Sequence, residues 1–150
     1  MITEDKILAE YRTVALVGAS SNPDRPSYKV LKYLSEHGFK VIPINPNSAE
    51  VMGMQCYPDL TAIPIQVEVV DIFRSASDLM PTVDEAIKVR AKAIWMQEGI
   101  INEEAAIKAR QAGLLVVMDK CMKKEHIRLC NVSLAQSLEK EEGGNQDGQD

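Results

Sequence analysis

Much of what this 150-residue chain could be is excluded by what it lacks. Its three cysteines are an odd number with no C-x-x-C pair, so a reducing compartment is expected rather than a disulfide framework. Basic residues do not predominate: 17 Lys and Arg stand against 22 Asp and Glu, for a net charge of -5. General nucleic-acid binding, which needs a basic face, is therefore not expected. An anionic ligand would gain nothing from the overall field, and local basic residues would have to attract it. No apolar stretch approaches a membrane span, and the start M-I-T-E-D-K-I-L-A-E-Y-R is no signal peptide, so a soluble cytoplasmic protein is expected. Neither G-x-G-x-x-G nor G-x-x-x-x-G-K-[ST] occurs, which removes the two common phosphate fingerprints. There is no evident Ser-His-Asp set and no internal repeat.

What is present centres on T-V-A-L-V-G-A-S-S-N-P-D-R-P, residues 13–26. Val14-Ala15-Leu16-Val17 is a short apolar run that stops at Gly18, the pattern of a strand buried on both faces of a parallel sheet. Small and polar residues follow, and Pro26 stands where a helix can begin. A glycine and two small residues after a strand let backbone N–H groups approach a ligand, and the helix N-terminus beyond favours anions. A phosphate-binding turn after the first strand of a doubly wound domain is the expectation.

The rest of the chain alternates. A short helix over residues 2–12, capped by Thr3, precedes the first strand. A helix over residues 27–37 stops at Gly38. A second strand over residues 40–44 contains Pro43, an awkward residue for a central strand. An irregular connection over residues 48–64 leads to a third strand at 67–73, a helix at 82–92 and a fourth strand at 93–96. Asn102 caps a helix running through Ala112, and residues 114–118 form a fifth strand. A last turn or two of helix is expected at 123–129. From about residue 131 the composition turns polar, so a single domain over 1–130 and a disordered tail over 131–150 are expected. Five strands alternating with helices predict a three-layer α/β domain, doubly wound on a parallel five-stranded sheet.

In such folds ligands meet the carboxyl ends of the strands. Those ends carry Gly18-Ala19-Ser20, Asn45-Pro46-Asn47, Phe73-Arg74-Ser75, Gln97-Glu98-Gly99 and Asp119-Lys120-Cys121. A nicotinamide site needs a carboxylate at the second strand end to take the ribose hydroxyls. Asn45 stands there instead, and the loop to Pro26 is longer than a dinucleotide turn. Both features count against NAD.

The runs V-A-L-V-G-A-S, D-R-P-S-Y-K-V, V-I-P-I-N-P-N, G-M-Q-C-Y-P-D-L, V-V-D-I-F-R, A-I-W-M-Q-E-G and V-V-M-D-K-C-M-K-K-E-H occur in this order. Together they resemble the stand-alone CoA-binding domain family, similar to the N-terminal domain of the succinyl-CoA synthetase alpha subunit. The resemblance spans about residues 13–129 and implies a Rossmann-like fold that binds CoA or an acyl-CoA. It implies that Gly18, Ala19, Ser20 and Ser21 hold the phosphates and that Asn45 and Pro46 contact the adenosine end. Phe73, Arg74 and Ser75 would line the middle, with Gln97 and Glu98 near the pantetheine path. The synthetases carry a lysine shortly after the proline that matches Pro46, whereas Asn47 and Ser48 follow it here. Arg25, Lys29 or Arg74 would then supply the positive charge. The synthetases also use a second domain with a phosphorylated histidine, so no independent catalysis is expected. The alternatives are a redox-linked NAD(H)-binding domain, as enzyme or sensor, and an interaction module with a vestigial ligand site.

Other features have plainer readings. Trp95, inside a strand, is expected in the core. Cys121, His126 and Cys130 have the spacing C-x4-H-x3-C, but a fourth ligand is missing and no metal is expected. Cys121 is expected to be a partly buried thiol, the alternative being a reactive one activated by Lys120 or Lys123.

Overall fold

Thr13–Val17 forms β1, and its apolar run is paired on both sides, with β2 (Lys40–Ile44) and with β5 (Val69–Ile72). The computed structural model describes residues 1–147, with side chains described through residue 140. Beyond β5 lie β6 (Ala93–Met96) and β7 (Leu115–Val117), so the parallel five-stranded sheet runs β2-β1-β5-β6-β7. Strand order reverses between β1 and β5, which opens a crevice at their carboxyl ends.

Alternation along each strand sends side chains to two separate cores. Val14, Leu16, Val69 and Trp95 face α1 (Thr3–Glu10), α2 (Pro26–Glu36) and the first turn of α5 (Met122–Asp147). Ala15, Val70, Ile94 and Met96 face α3 (Met80–Lys88) and α4 (Glu103–Gln111). The result is the three-layer, Rossmann-like α/β domain. Trp95 is fully buried, as expected. Pro43 is tolerated because β2 is the edge strand, and its carbonyl turns outward to accept the Tyr57 N–H at 3.1 Å.

Several boundaries differ from the sequence reading. Ile2, not Thr3, stands at the N-cap of α1, with no side-chain cap. The connection after β2 contains a small hairpin of β3 (Glu50–Val51) and β4 (Met54–Gln55), turning through Met52 and Gly53. Asn102 does cap α4, its Oδ1 accepting the Ala105 N–H at 3.0 Å. The largest difference is α5, which continues to Asp147 instead of ending near Leu129. Leu134, Ala135, Gln136, Leu138, Glu139 and Lys140 are good helix formers, so helix is locally consistent where polarity alone suggests disorder. Residues 131–140 are all exposed, and residues 148–150 lie outside the described ones.

Candidate functional site

The crevice at the strand reversal is bounded by Gly18 and Phe73. Gly18 has φ +90°, and a Cβ there would lie 2.5 Å from the Phe73 carbonyl oxygen. Only glycine fits, because the two strand ends approach too closely for a side chain. The N–H groups of Gly18 and Ala19 both donate to the Ile44 carbonyl, at 3.0 and 3.2 Å. They hold β1 to β2 and are not free to bind an anion. Ser20 Oγ accepts the Asn22 N–H at 3.1 Å, and Asn22 Oδ1 accepts the Asp24 N–H at 3.0 Å, which shapes the loop into α2. The N–H groups of Ser20 and Ser21 make no hydrogen bond among the described residues.

These elements enclose a first cleft of about 340 Å³. Gly18, Ala19, Ser20 and Asn45 form one side, Arg25, Pro26 and Ser27 the start of α2, and Phe73 and Arg74 the opposite wall. Ser27 is the buried second residue of α2, so its N–H has no carbonyl one helical turn earlier. Arg74 is half-buried and Arg25 exposed, and among the described residues neither pairs with a carboxylate. The cleft thus combines unpaired main-chain donors, a helix N-terminus and two free guanidinium groups, which is an anion-binding set.

Not every residue expected here lines it. Asn45 does, but as a strut: its Nδ2 donates to the Ala19 carbonyl at 2.8 Å and its Oδ1 accepts the Asn47 N–H at 2.8 Å. Ser21, Pro46 and Ser75 are exposed and stand outside the lining. The Ser75 hydroxyl donates to Asp78 Oδ2 at 2.6 Å.

Lys29, Gln97 and Glu98 belong to a second cleft of about 350 Å³, which shares Pro26 with the first. Val30 and Cys121 add apolar wall, and Lys123 and Lys124 come from the first turn of α5. Lys124 Nζ pairs with Glu98 Oε1 at 2.7 Å, and this pairing raises the lysine pKa. Gln97 is buried, and its Oε1 has no hydrogen-bond partner among the described residues. Sequence reading placed Gln97 and Glu98 but missed the α5 lysines as part of the same cleft. Their signal was K-C-M-K-K directly after the fifth strand, where a helix start would bring them to the strand ends.

A second buried polar group was also missed. Asp71 is fully buried on β5 between Leu16 and Trp95 of the neighbouring strands, and neither carboxylate oxygen has a partner among the described residues. Desolvation pushes its pKa well above the usual carboxylate range. An aspartate inside V-V-D-I-F was the available signal.

The C-x4-H-x3-C residues separate. Cys121 lines the second cleft, whereas His126 Nδ1 shares a hydrogen bond of 2.8 Å with the Tyr33 hydroxyl, with Cys130 Sγ 3.8 Å away. Burial, then the charges of His37 and Arg12, lower the His126 pKa. Among the described residues no group of three His, Cys, Asp or Glu is placed to hold a metal ion, and no helix is long and apolar enough to cross a membrane.

Residues 12–127 match the family described as the CoA binding domain. The Bacillus subtilis protein YneT is 34% identical over 121 residues, which are 81% of this chain and 90% of YneT. A hypothetical protein from Pyrococcus horikoshii has a solved structure that matches with a TM-score of 0.83 at 46% identity, covering 87% of this chain and 93% of that one. The alpha subunit of the ADP-forming acetate–CoA ligase II from Pyrococcus furiosus is 27% identical over 122 residues, 74% of this chain but 27% of that subunit.

Proposed function

The chain belongs to the CoA-binding domain family, and from that premise we propose that it binds CoA or an acyl-CoA across both clefts without catalysing a reaction on its own. The observation that carries this reading is the pairing of a half-buried, unpartnered Arg74 with the unused N–H groups around Ser20 at the strand reversal. Phosphate oxygens are acceptors only, and a fixed array of donors with a guanidinium meets them without reorganisation. Ser20, Ser21 and Ser27 N–H groups would take the diphosphate, with Arg25 and Arg74 supplying charge. The adenosine end would lie toward Asn45 and Pro46. The pantetheine arm would pass Pro26 into the second cleft, beside Gln97 and Glu98.

Binding is extended to this chain and ligation is not, because the shared part is 27% of the ligase subunit. NAD is disfavoured by Asn45, whose side chain carries no charge and is already engaged at both ends. A thermal melt tests the reading, since a ligand that binds only the native state raises the melting temperature by mass action. CoA should raise it and NAD and NADH should not; the reverse would overturn the proposal.

A further inference from the structure

The second cleft holds more than a binding wall. Cys121 is buried to 7% exposure and lines the cleft at the residue just before α5. Its position is tightly set. The Trp95 indole N–H donates to the Lys120 carbonyl at 2.8 Å, and the Lys120 N–H donates to the Met96 carbonyl at 3.3 Å. Asp119, with φ 59°, accepts the Gly99 N–H on its carboxylate at 2.7 Å. Cys121 therefore lines the cleft from a strapped turn. Lys29, Lys123 and Lys124 surround the same space, and lysines with a helix N-terminus are the setting in which exchange-active thiols occur. The independent sign of a ligand is Gln97, a residue of the cleft lining whose buried Oε1 has no partner among the described residues. A buried acceptor without a partner is costly, and a ligand N–H relieves the cost. A pantetheine arm carries two amide N–H groups and ends in a thiol, so it matches both the orphaned acceptor and the cysteine.

Resting on the CoA reading above, we propose that Cys121 is a thiol-exchange residue that captures CoA from its disulfide as a covalent adduct. Cys121 gives up its proton and its sulfur attacks one sulfur of CoA disulfide. A Cys121–CoA disulfide forms as the original S–S bond breaks, and the departing CoA thiolate takes up a proton. One disulfide replaces another, with no net oxidation. The other two thiols serve as internal references. Cys56 is buried, and burial pushes its pKa up, while Cys130 is exposed on α5 beside His126.

The test is intact-protein mass spectrometry with peptide mapping after incubation with CoA disulfide or, separately, glutathione disulfide. One CoA moiety per chain should appear on Cys121 and be removed by dithiothreitol. Because bound ligand presents its sulfur at high effective concentration, the CoA adduct should form more than ~10-fold faster than the glutathione adduct. The adduct should be absent from Cys121→Ser and should still form in a Cys56→Ser, Cys130→Ser double variant. Modification of Cys130 instead, or equal rates with the two disulfides, would overturn the proposal. Titration with reduced CoA in reducing buffer separates the two readings. Binding without exchange overturns this proposal alone, and no binding overturns the CoA reading on which it rests.

Discussion

The two clefts that meet at Pro26 are nearly equal in size, about 340 and 350 Å³, but they are built from different materials. The first is made mostly of backbone and short side chains set by the sheet, with Gly18 against Phe73 and Asn45 tied to Ala19. The second is made largely of long side chains from α2 and α5, with the buried Gln97 in its lining. A rigid donor array suits a group common to every CoA species, the phosphates. An adaptable wall suits the part that varies, the acyl end. Substitutions in the first cleft should therefore act on the fold or on all ligands alike, and those in the second should discriminate between ligands.

The largest effect should come from Gly18→Val. A left-handed backbone at a non-glycine residue costs roughly 1–3 kcal/mol, and the added Cβ would also collide with the Phe73 carbonyl. Urea denaturation should show a loss at or above that range, together with loss of CoA binding. Near-native stability would mean that the first cleft is not set by the sheet. Next in size is Arg74→Ala, which has no carboxylate partner to lose among the described residues. Calorimetry should show CoA and adenosine 3′,5′-bisphosphate weakened together by about 1.5–3 kcal/mol, with stability unchanged.

Gln97→Met sharpens the contrast from the other side. Removing a buried unpartnered acceptor should stabilise the free protein by about 1 kcal/mol while weakening CoA by a similar amount. Adenosine 3′,5′-bisphosphate, which lacks the pantetheine arm, should bind the variant as it binds the native protein. Equal losses for both ligands would merge the two clefts into one functional unit. The smallest effect should follow removal of the chain beyond residue 131. Neither cleft includes that part of α5, and its side chains to residue 140 are exposed. The melting temperature should barely move; a drop of many degrees would show that this segment docks on the body.

The first cleft was the more legible of the two in the sequence, and for a physical reason. A buried strand, a glycine, small residues and a proline are local signals, so Gly18, Ala19, Ser20 and Arg25 could be read from one continuous stretch. What that stretch could not reveal is how Gly18 is used. Its missing side chain makes room for the Phe73 carbonyl, 55 positions away in the chain, and not only for a ligand. Likewise the N–H groups of Gly18 and Ala19 go to Ile44, a partnership only strand pairing determines. The second cleft joins residues from three distant segments, α2, the end of β6 and the start of α5. Cys121 was read as a partly buried thiol that Lys120 or Lys123 could activate, but its place beside Lys29, Gln97 and Glu98 exists only once the helices pack. The extension of α5 was hidden for the opposite reason, since its few apolar residues, Val132, Leu134 and Leu138, stay exposed and the segment reads as polar overall.

Calorimetric titration of the reduced protein in low salt, with CoA and NADH in parallel, tests the central claim that both clefts serve one CoA ligand. CoA should bind with one molecule per chain and a salt-weakened affinity, as expected where the exposed Arg25 and the half-buried Arg74 meet phosphate, and NADH should give no heat. Heat from NADH and none from CoA would contradict the account.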